Sequence, residues 1–282
     1  MSKKHFAVIG HPIGHTMSPF IHRELFRLNG IDGEYTTEDI QPDALDREIP
    51  RLLRELDGFN VTIPYKSAVI PYLDSIEGVA EEYGSVNTVR CADRSGRTTD
   101  PTGFVRALGA AGIELSGEVC VLGAGGVSRV FAGEAARAGC EVTFGVLESD
   151  KASAERIIED IRKHHPEFRA NVKDIGGLEG GYDLLINATP VGMYPRTNAM
   201  PVAKEVLGRS KAVFDAVYNP ENTELIKSAR ELGCKAQGGM PMLVWQAAAA
   251  QEIWLGVKFE SEEVVKVITS ATEYMNENFR GN

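Results

Sequence analysis

Cysteine is scarce in this chain, and none of it is paired by spacing. The four cysteines, Cys91, Cys120, Cys140 and Cys234, show no C-x-x-C pattern, and Cys120 and Cys140 fall in apolar segments that read as buried strands. Reduced core thiols are expected rather than metal ligands. His11, His15 and His22 lie near one loop without H-E-x-x-H or any other metal spacing, so surface or packing roles are expected and no metal is. No apolar run is long enough to span a bilayer. Met1-Ser-Lys-Lys-His5 leads directly into a strand rather than a signal peptide, which points to a cytoplasmic protein. Positive charge is also short: 30 Lys and Arg against 40 Asp and Glu leave a formal charge of -10, which argues against nucleic acid and anionic membrane as partners. Internal repeats, low-complexity segments and long linkers are missing as well.

What is present is an ordinary globular composition spread over 282 residues, a length that suggests two domains with substantial cores. The chain is organised around Gly117–Glu148. Val119–Leu122 is an apolar strand, Gly123-Ala124-Gly125-Gly126 turns the backbone, Val127–Ala138 reads as a helix with small Ala132, Ala135 and Ala136, and Cys140–Leu147 returns as a strand. In such a unit a glycine-lined turn lets backbone N–H groups approach a pyrophosphate in front of a helix N-terminus. Ser128 replaces the third glycine of the fingerprint and is small enough for close helix–strand packing. A plain structural turn is the alternative.

Before this unit, strand and helix patterns alternate. Strands are expected at Phe6–Ile9, Glu34–Thr37 and Gly58–Ile63, and helices at Ser18–Asn29, Pro42–Leu56 and Tyr65–Leu73. Ser18 is placed as an N-cap with Pro19 behind it, and Pro50 is expected to kink or split the second helix. Ser85–Cys91 and Arg97–Thr99 read as an antiparallel pair around Asp93–Gly96, giving a mostly parallel α/β sheet with one antiparallel strand. A helix starting at Asp100-Pro101-Thr102 marks the boundary. Beyond it, strands at Tyr182–Asn187, Ala212–Ala216 and Lys235–Gln237, with helices at Ala154–His164 and Thr223–Leu232, complete a doubly wound sheet, and helices Met240–Leu255 and Ser261–Asn276 follow. The expected division is 1–101 plus 242–282 for one domain and 102–241 for the dinucleotide domain.

Ligands of parallel α/β sheets bind beyond the carboxyl ends of the strands. Thr16 and Ser18 are suited to hold an anion, or Ser18 merely caps its helix. Lys66 stands just inside an expected helix N-terminus, where the dipole disfavours a cation and should lower its pKa, or it is simply an exposed lysine. Asp100 either caps its helix or turns one oxygen into a cleft. Asn87 and Gln246 either read substrate hydroxyls or satisfy local groups. Glu148, about 20 residues after the glycine turn, is placed to accept from a ribose diol and repel a phosphate, or is a solvent-facing strand-end residue.

Taken together, Gly10-His-Pro-Ile-Gly-His-Thr-Met-Ser-Pro-Phe-Ile-His22, Asn60-Val-Thr-Ile-Pro-Tyr-Lys66, Gly84-Ser-Val-Asn-Thr88 and Thr99-Asp100 resemble the substrate-domain motifs of the shikimate dehydrogenase family. Gly123-Ala-Gly-Gly126, Asn187-Ala-Thr-Pro-Val-Gly-Met193, Asp215-Ala-Val-Tyr-Asn-Pro220 and Gly239-Met-Pro-Met-Leu-Val-Trp-Gln246 resemble its cofactor-domain and closing-helix motifs. The resemblance spans nearly the whole chain. It implies an oxidoreductase that interconverts 3-dehydroshikimate and shikimate, with quinate as a further substrate of some members, and a cleft between two domains. It implies Lys66 and Asp100 as the catalytic pair, Thr16 and Ser18 on the substrate carboxylate, and Thr62, Asn87 and Gln246 on ring hydroxyls with Tyr218 nearby. Gly123, Ala124, Gly125, Gly126, Val127, Thr189, Met193 and Gly239 would line the dinucleotide.

Three departures stand out. Thr16 replaces a usual serine, so its methyl crowds the carboxylate end and leaves shikimate, quinate and an aminoshikimate open as substrates. Thr98 replaces the usual asparagine of Asn-Thr-Asp, and Pro101 stiffens the hinge and removes an amide. Gly145-Val146-Leu147-Glu148 stands where members that use NADP carry Asn-Arg-Thr, so NAD is the expected cofactor and NADP the lesser one. A small-molecule substrate and a monomer or homodimer are expected. A dinucleotide sensor without catalysis is the non-enzyme alternative, disfavoured because a sensor needs neither Lys66 nor Asp100.

Overall fold

The computed structural model describes residues 3–14 and 16–279, so His15 lies outside the described residues. The chain divides into two compact units, Met1–Gly103 with Val244–Ala271 and Phe104–Leu243 with Thr272–Asn282.

The first unit holds strands β1 (Lys4–Gly10), β2 (Gly33–Asp39), β3 (Gly58–Val61), β4 (Ser75–Ile76), β5 (Thr88–Arg90) and β6 (Ser95–Arg97) in the order β2-β1-β3-β5-β6-β4. Only β5 runs against the others, as the sequence pattern leads one to expect. Its helices are α1 (Ser18–Leu28), α2 (Leu45–Glu55), α3 (Ala80–Tyr83) and the first turn of α4 (Asp100–Ala110). Phe6-Ala7-Val8-Ile9 is buried along its length because both faces of a central parallel strand are covered. Phe6, Val8 and Tyr35 pack with Phe26 on one face, while Ala7, Ile9, Phe59 and Val61 pack with Ile49 and Leu52 on the other. Burying each of these large side chains contributes roughly 1.5–3 kcal/mol.

Three local expectations fail here. Pro50 does not split its helix: α2 runs through it, and the break falls earlier, between a short turn at Pro42–Ala44 and Leu45. Proline forfeits one hydrogen bond, which the buried stripe of Leu45, Ile49 and Leu52 outweighs. Residues 65–73 form no α-helix but a turn and a 3-10 segment at Ile70–Tyr72, where Pro71 supplies no N–H. Ser18 is the first residue of α1 and makes no cap hydrogen bond; Met17 stands at the cap.

The second unit holds β7 (Glu118–Leu122), β8 (Glu141–Val146), β9 (Ala170–Asp174), β10 (Leu184–Asn187), β11 (Ala212–Asp215) and β12 (Lys235–Gln237), all parallel, in the order β12-β11-β10-β7-β8-β9. The order reverses between β7 and β10, which is the switch point where ligands bind in doubly wound sheets. Helices α5 (Gly126–Arg137), α6 (Lys151–His164), α7 (Lys204–Leu207) and α8 (Glu224–Glu231) connect them, while α9 (Met240–Leu255) and α10 (Ser261–Asn278) pass from one unit into the other along the chain. Phe104, Phe131 and Phe214 are fully buried in one aromatic cluster, with centroids 4.6–5.7 Å apart. Strand β9 escapes the sequence pattern because Ala170-Asn-Val-Lys-Asp174 is a half-exposed edge strand without an apolar run. All four cysteines are free and buried, and burial pushes the thiols of Cys91 and Cys120 up to about 12. Among the described residues no helix is long and apolar enough to cross a membrane.

Candidate active site

At the carboxyl end of β3 the chain turns through Thr62–Val69, and the turn is pinned where Val86 N–H donates to the Lys66 carbonyl at 2.8 Å. No helix starts there, so the expectation that a helix dipole tunes Lys66 has no structural basis. What the turn does is aim the side chain. Lys66 Nζ donates to Asp100 Oδ2 at 2.6 Å, while Asn87 Nδ2 donates to Asp100 Oδ1 at 2.8 Å. Asp100 stands at the start of α4, and its two oxygens serve this pair. Lys66 keeps 31% of its side-chain surface and Asp100 16%, so the pair is sheltered but reachable. An ammonium held at one corner has two further N–H groups for a substrate oxygen.

Beneath the pair runs a buried polar seam. Asn87 Oδ1 accepts from Thr99 N–H at 2.8 Å, from Thr99 Oγ1 at 3.2 Å and from Thr88 Oγ1 at 2.9 Å. Thr99 Oγ1 also reaches Gln246 Oε1 at 3.3 Å. Asn60 Nδ2 donates to the Asn87 carbonyl at 3.0 Å and to Thr88 Oγ1 at 3.1 Å, and its Oδ1 accepts from the Tyr35 hydroxyl at 2.7 Å. Burial holds the Tyr35 phenol well above its ordinary pKa, with the Ser18 hydroxyl as the opposing hydrogen-bond partner. Thr16 Oγ1 donates to Ser18 Oγ at 3.1 Å and accepts from Ser18 N–H at 3.2 Å. Thus Thr16, Ser18, Asn87, Gln246, Lys66 and Asp100 belong to one connected network. Thr62 stands apart from it: its methyl packs over Gly10, where a Cβ would approach to 2.6 Å. His22 lies fully buried under the seam, stacked on Tyr35 at 4.1 Å and bonded to Gln251, and burial drives its pKa down to about 3 with Asn60 opposing.

Tyr35, Asn60, Thr88 and Thr99 received no role from sequence reasoning. The signal was present in Asn60, a polar residue inside an otherwise apolar four-residue strand.

In the second unit the glycine turn leaves β7 at Gly123, whose φ of +91° suits glycine and whose missing Cβ admits the Thr189 methyl. Gly125 and Gly126 are different: a Cβ on either would meet nothing within 4 Å. Their bareness is not explained by packing within the protein and leaves room beside the backbone, as the close approach of a pyrophosphate requires. Ala124 and Val127 flank them, α5 begins at Gly126, and buried Ser128 accepts from the Gly125 N–H at 3.1 Å. From the neighbouring β10, Asn187 Oδ1 accepts from Thr189 N–H at 3.0 Å and Thr189 Oγ1 at 2.6 Å, shaping the loop that ends at exposed Met193. Gly239 packs on the Ala216 carbonyl, which a Cβ would approach to 2.3 Å. Tyr218 follows β11 in this second unit, and burial raises its pKa. Glu148 is exposed at the end of β8 beside exposed Leu147, and it pairs with Lys151, a partner that sequence reasoning overlooked.

These features define a class: an α/β oxidoreductase with a doubly wound dinucleotide fold and a lysine–aspartate pair on a second α/β unit. Residues 8–89 match the model of the shikimate dehydrogenase substrate binding domain. The shikimate dehydrogenase (NADP(+)) of Halothermothrix orenii is 38% identical over 90% of this chain and 91% of its own length. Shikimate 5-dehydrogenase of Thermus thermophilus, solved with NADP(H) and shikimate, is 34% identical with a TM-score of 0.83, covering 95% of this chain and 99% of that one. The enzyme of Listeria monocytogenes, solved with shikimate and NAD, is 31% identical with a TM-score of 0.86, covering 94% and 96%. This chain belongs to the shikimate dehydrogenase family.

Proposed function

We propose that this protein interconverts shikimate and 3-dehydroshikimate, with quinate as a second substrate, and that the first unit takes the acid while the second takes the dinucleotide. The observation that carries the reading is the Lys66–Asp100–Asn87 arrangement, with Nζ held at 2.6 Å and two N–H groups to spare. The nicotinamide supplies the hydride exchange. Lys66 gives a proton to the carbonyl oxygen as the ring carbon gains hydride, and takes the hydroxyl proton as the carbon loses it. Asp100 holds Nζ and a ring hydroxyl; Thr62, Asn87 and Gln246 bind the remaining hydroxyls, with Tyr218 nearby, and Thr16 and Ser18 the carboxylate. Gly123–Val127 hold the pyrophosphate, with Thr189, Met193 and Gly239 beside the nicotinamide.

The same proposal assigns NAD as the preferred cofactor, unlike the Halothermothrix relative named for NADP(+). Glu148, exposed just past β8, would accept from a ribose diol, and Lys151, the cation beside it, is already paired with Glu148. A 2′-phosphate would have to displace that carboxylate. Initial rates with shikimate and quinate, each with NAD and NADP, test all parts together. Activity with NADP alone would refute the cofactor assignment, and no oxidation of either acid would refute the substrate. Lys66→Ala should abolish turnover while sparing dinucleotide binding; near-normal turnover would remove the proton-transfer role.

A further inference from the structure

The second unit buries a carboxylate that the proposed reaction does not use. Asp215 ends β11, has no exposed surface, and sits in register with Asn187 at the end of β10. Among the described residues no cation pairs with it. Three donors converge instead. Asp215 Oδ1 accepts from Asn187 Nδ2 at 2.9 Å and from Val217 N–H at 3.0 Å, and Oδ2 accepts from Thr223 Oγ1 at 2.6 Å. Thr223 Oγ1 also accepts from Ile226 N–H at 3.3 Å as the N-cap of α8 while donating its proton to Asp215.

The donors come from the end of β10 and the loop after β11, and two of them adjoin residues of the proposed dinucleotide site. Asn187 is the residue whose other side-chain atom shapes the Thr189 turn, and Thr189 closes on Gly123. Val217 precedes Tyr218, and its carbonyl accepts from Gly239 N–H at 3.1 Å. Thr223 closes the loop that starts at Asp215. A carboxylate is acceptor-only and satisfies all three, whereas an amide would turn its NH₂ toward a donor. Burial raises the Asp215 pKa to about 6, so the protein keeps this group at a cost that a purely packing role does not require.

We propose that Asp215 is a positioning residue for the dinucleotide, holding the loops after β10 and β11 in one frame. This rests on the reading of the second unit as the dinucleotide-binding one. Asp215→Asn, nearly isosteric, is the test, with circular dichroism to confirm folding and dinucleotide binding measured directly by titration calorimetry as well as kinetically. The expected result is a Michaelis constant for the dinucleotide raised about tenfold, with that for the hydroxy acid within about twofold. Thr223→Val, which keeps the carboxylate and removes the Oδ2 donor together with the N-cap of α8, should move the same constant in the same direction. Loss of folded enzyme alone would lower the rate and leave both constants unchanged, and that result, or equal dinucleotide affinity in wild type and Asp215→Asn, would overturn the proposal. A wild-type protein that binds neither NAD(H) nor NADP(H) would instead overturn the dinucleotide reading, and the Asp215 role would fall with it.

Discussion

Acidification should push the stability of the two units in opposite directions. In the first unit His22 is buried and neutral, its pKa lowered to about 3 by desolvation, whereas in the unfolded chain it titrates near 6.5. A depressed folded pKa means stability that is present above the unfolded value and lost as pH falls toward the folded one. In the second unit the Asp215 pKa is raised from 3.8 to about 6 by burial, so its contribution is present below the unfolded value and lost as pH rises through the folded one. At about 1.4 kcal/mol per unit of pH in the window between the two pKa values, going from about pH 7 to about pH 5 costs the first unit about 2 kcal/mol and gains the second about 1 kcal/mol. The paired carboxylates Asp93, Asp160 and Asp183 have lowered pKa values, so their losses begin only at more acid pH. Amide hydrogen exchange, corrected for the intrinsic rate, reads the units separately through β3 and β10. Protection should fall in β3 and rise in β10. Asp215→Asn should abolish the rise, and His22→Phe, which keeps a ring on Tyr35, should blunt the fall. Parallel losses in both strands, or an unchanged rise in Asp215→Asn, would refute the reasoning.

Three further outcomes are expected. Asn60→Ala removes the acceptor of the Tyr35 hydroxyl and one donor each from the Asn87 carbonyl and Thr88 Oγ1, so stability in denaturant titration should drop by roughly 1–3 kcal/mol, and kcat/KM for shikimate should fall while dinucleotide affinity holds. Gly58→Ala places a methyl 2.5 Å from Trp254 Nε1, which donates to the Val89 carbonyl at 2.8 Å; displacing the ring should cost roughly 1–3 kcal/mol and lower the melting temperature. Glu148→Ala frees Lys151 for a phosphate, so the ratio of NADP to NAD activity should rise; an unchanged ratio would show that this corner does not select the cofactor.

Periodicity and turn chemistry carried most of the fold because they report burial. The apolar runs at β1, β3, β7, β10 and β11 are the strands with covered faces, and they were legible for that reason. Strand β9 and two-residue β4 were not, since an edge strand buries too little to mark the sequence. The expected Tyr65–Leu73 helix does not form, since Pro71 supplies no N–H and the segment closes as a turn and a 3-10 stretch. That error reaches the chemistry: Lys66 is placed by a turn and by Asp100, not by a helix dipole. Motif reasoning names the residues proposed to face a ligand and passes over those that hold them. Ser18, Asn87 and Asp100 are joined through Tyr35, Asn60 and Thr88, whose partners come from strands distant in sequence.

Such groups share one mark that a sequence does carry. Asn60 interrupts Gly58-Phe-Asn-Val61, and Asp215 ends Ala212-Val-Phe-Asp215, each a polar side chain in a strand otherwise apolar. Leaving such a group buried without partners would cost more than any local propensity could offset, so its presence implies a full set of hydrogen bonds. At the end of a parallel strand, those bonds can only go to adjacent strands or to the loops beyond them. The polar interruption therefore points to where the ligand-facing loops are tied down, and in both units of this protein it stands within two residues of a proposed ligand-binding residue or a loop that leads to one.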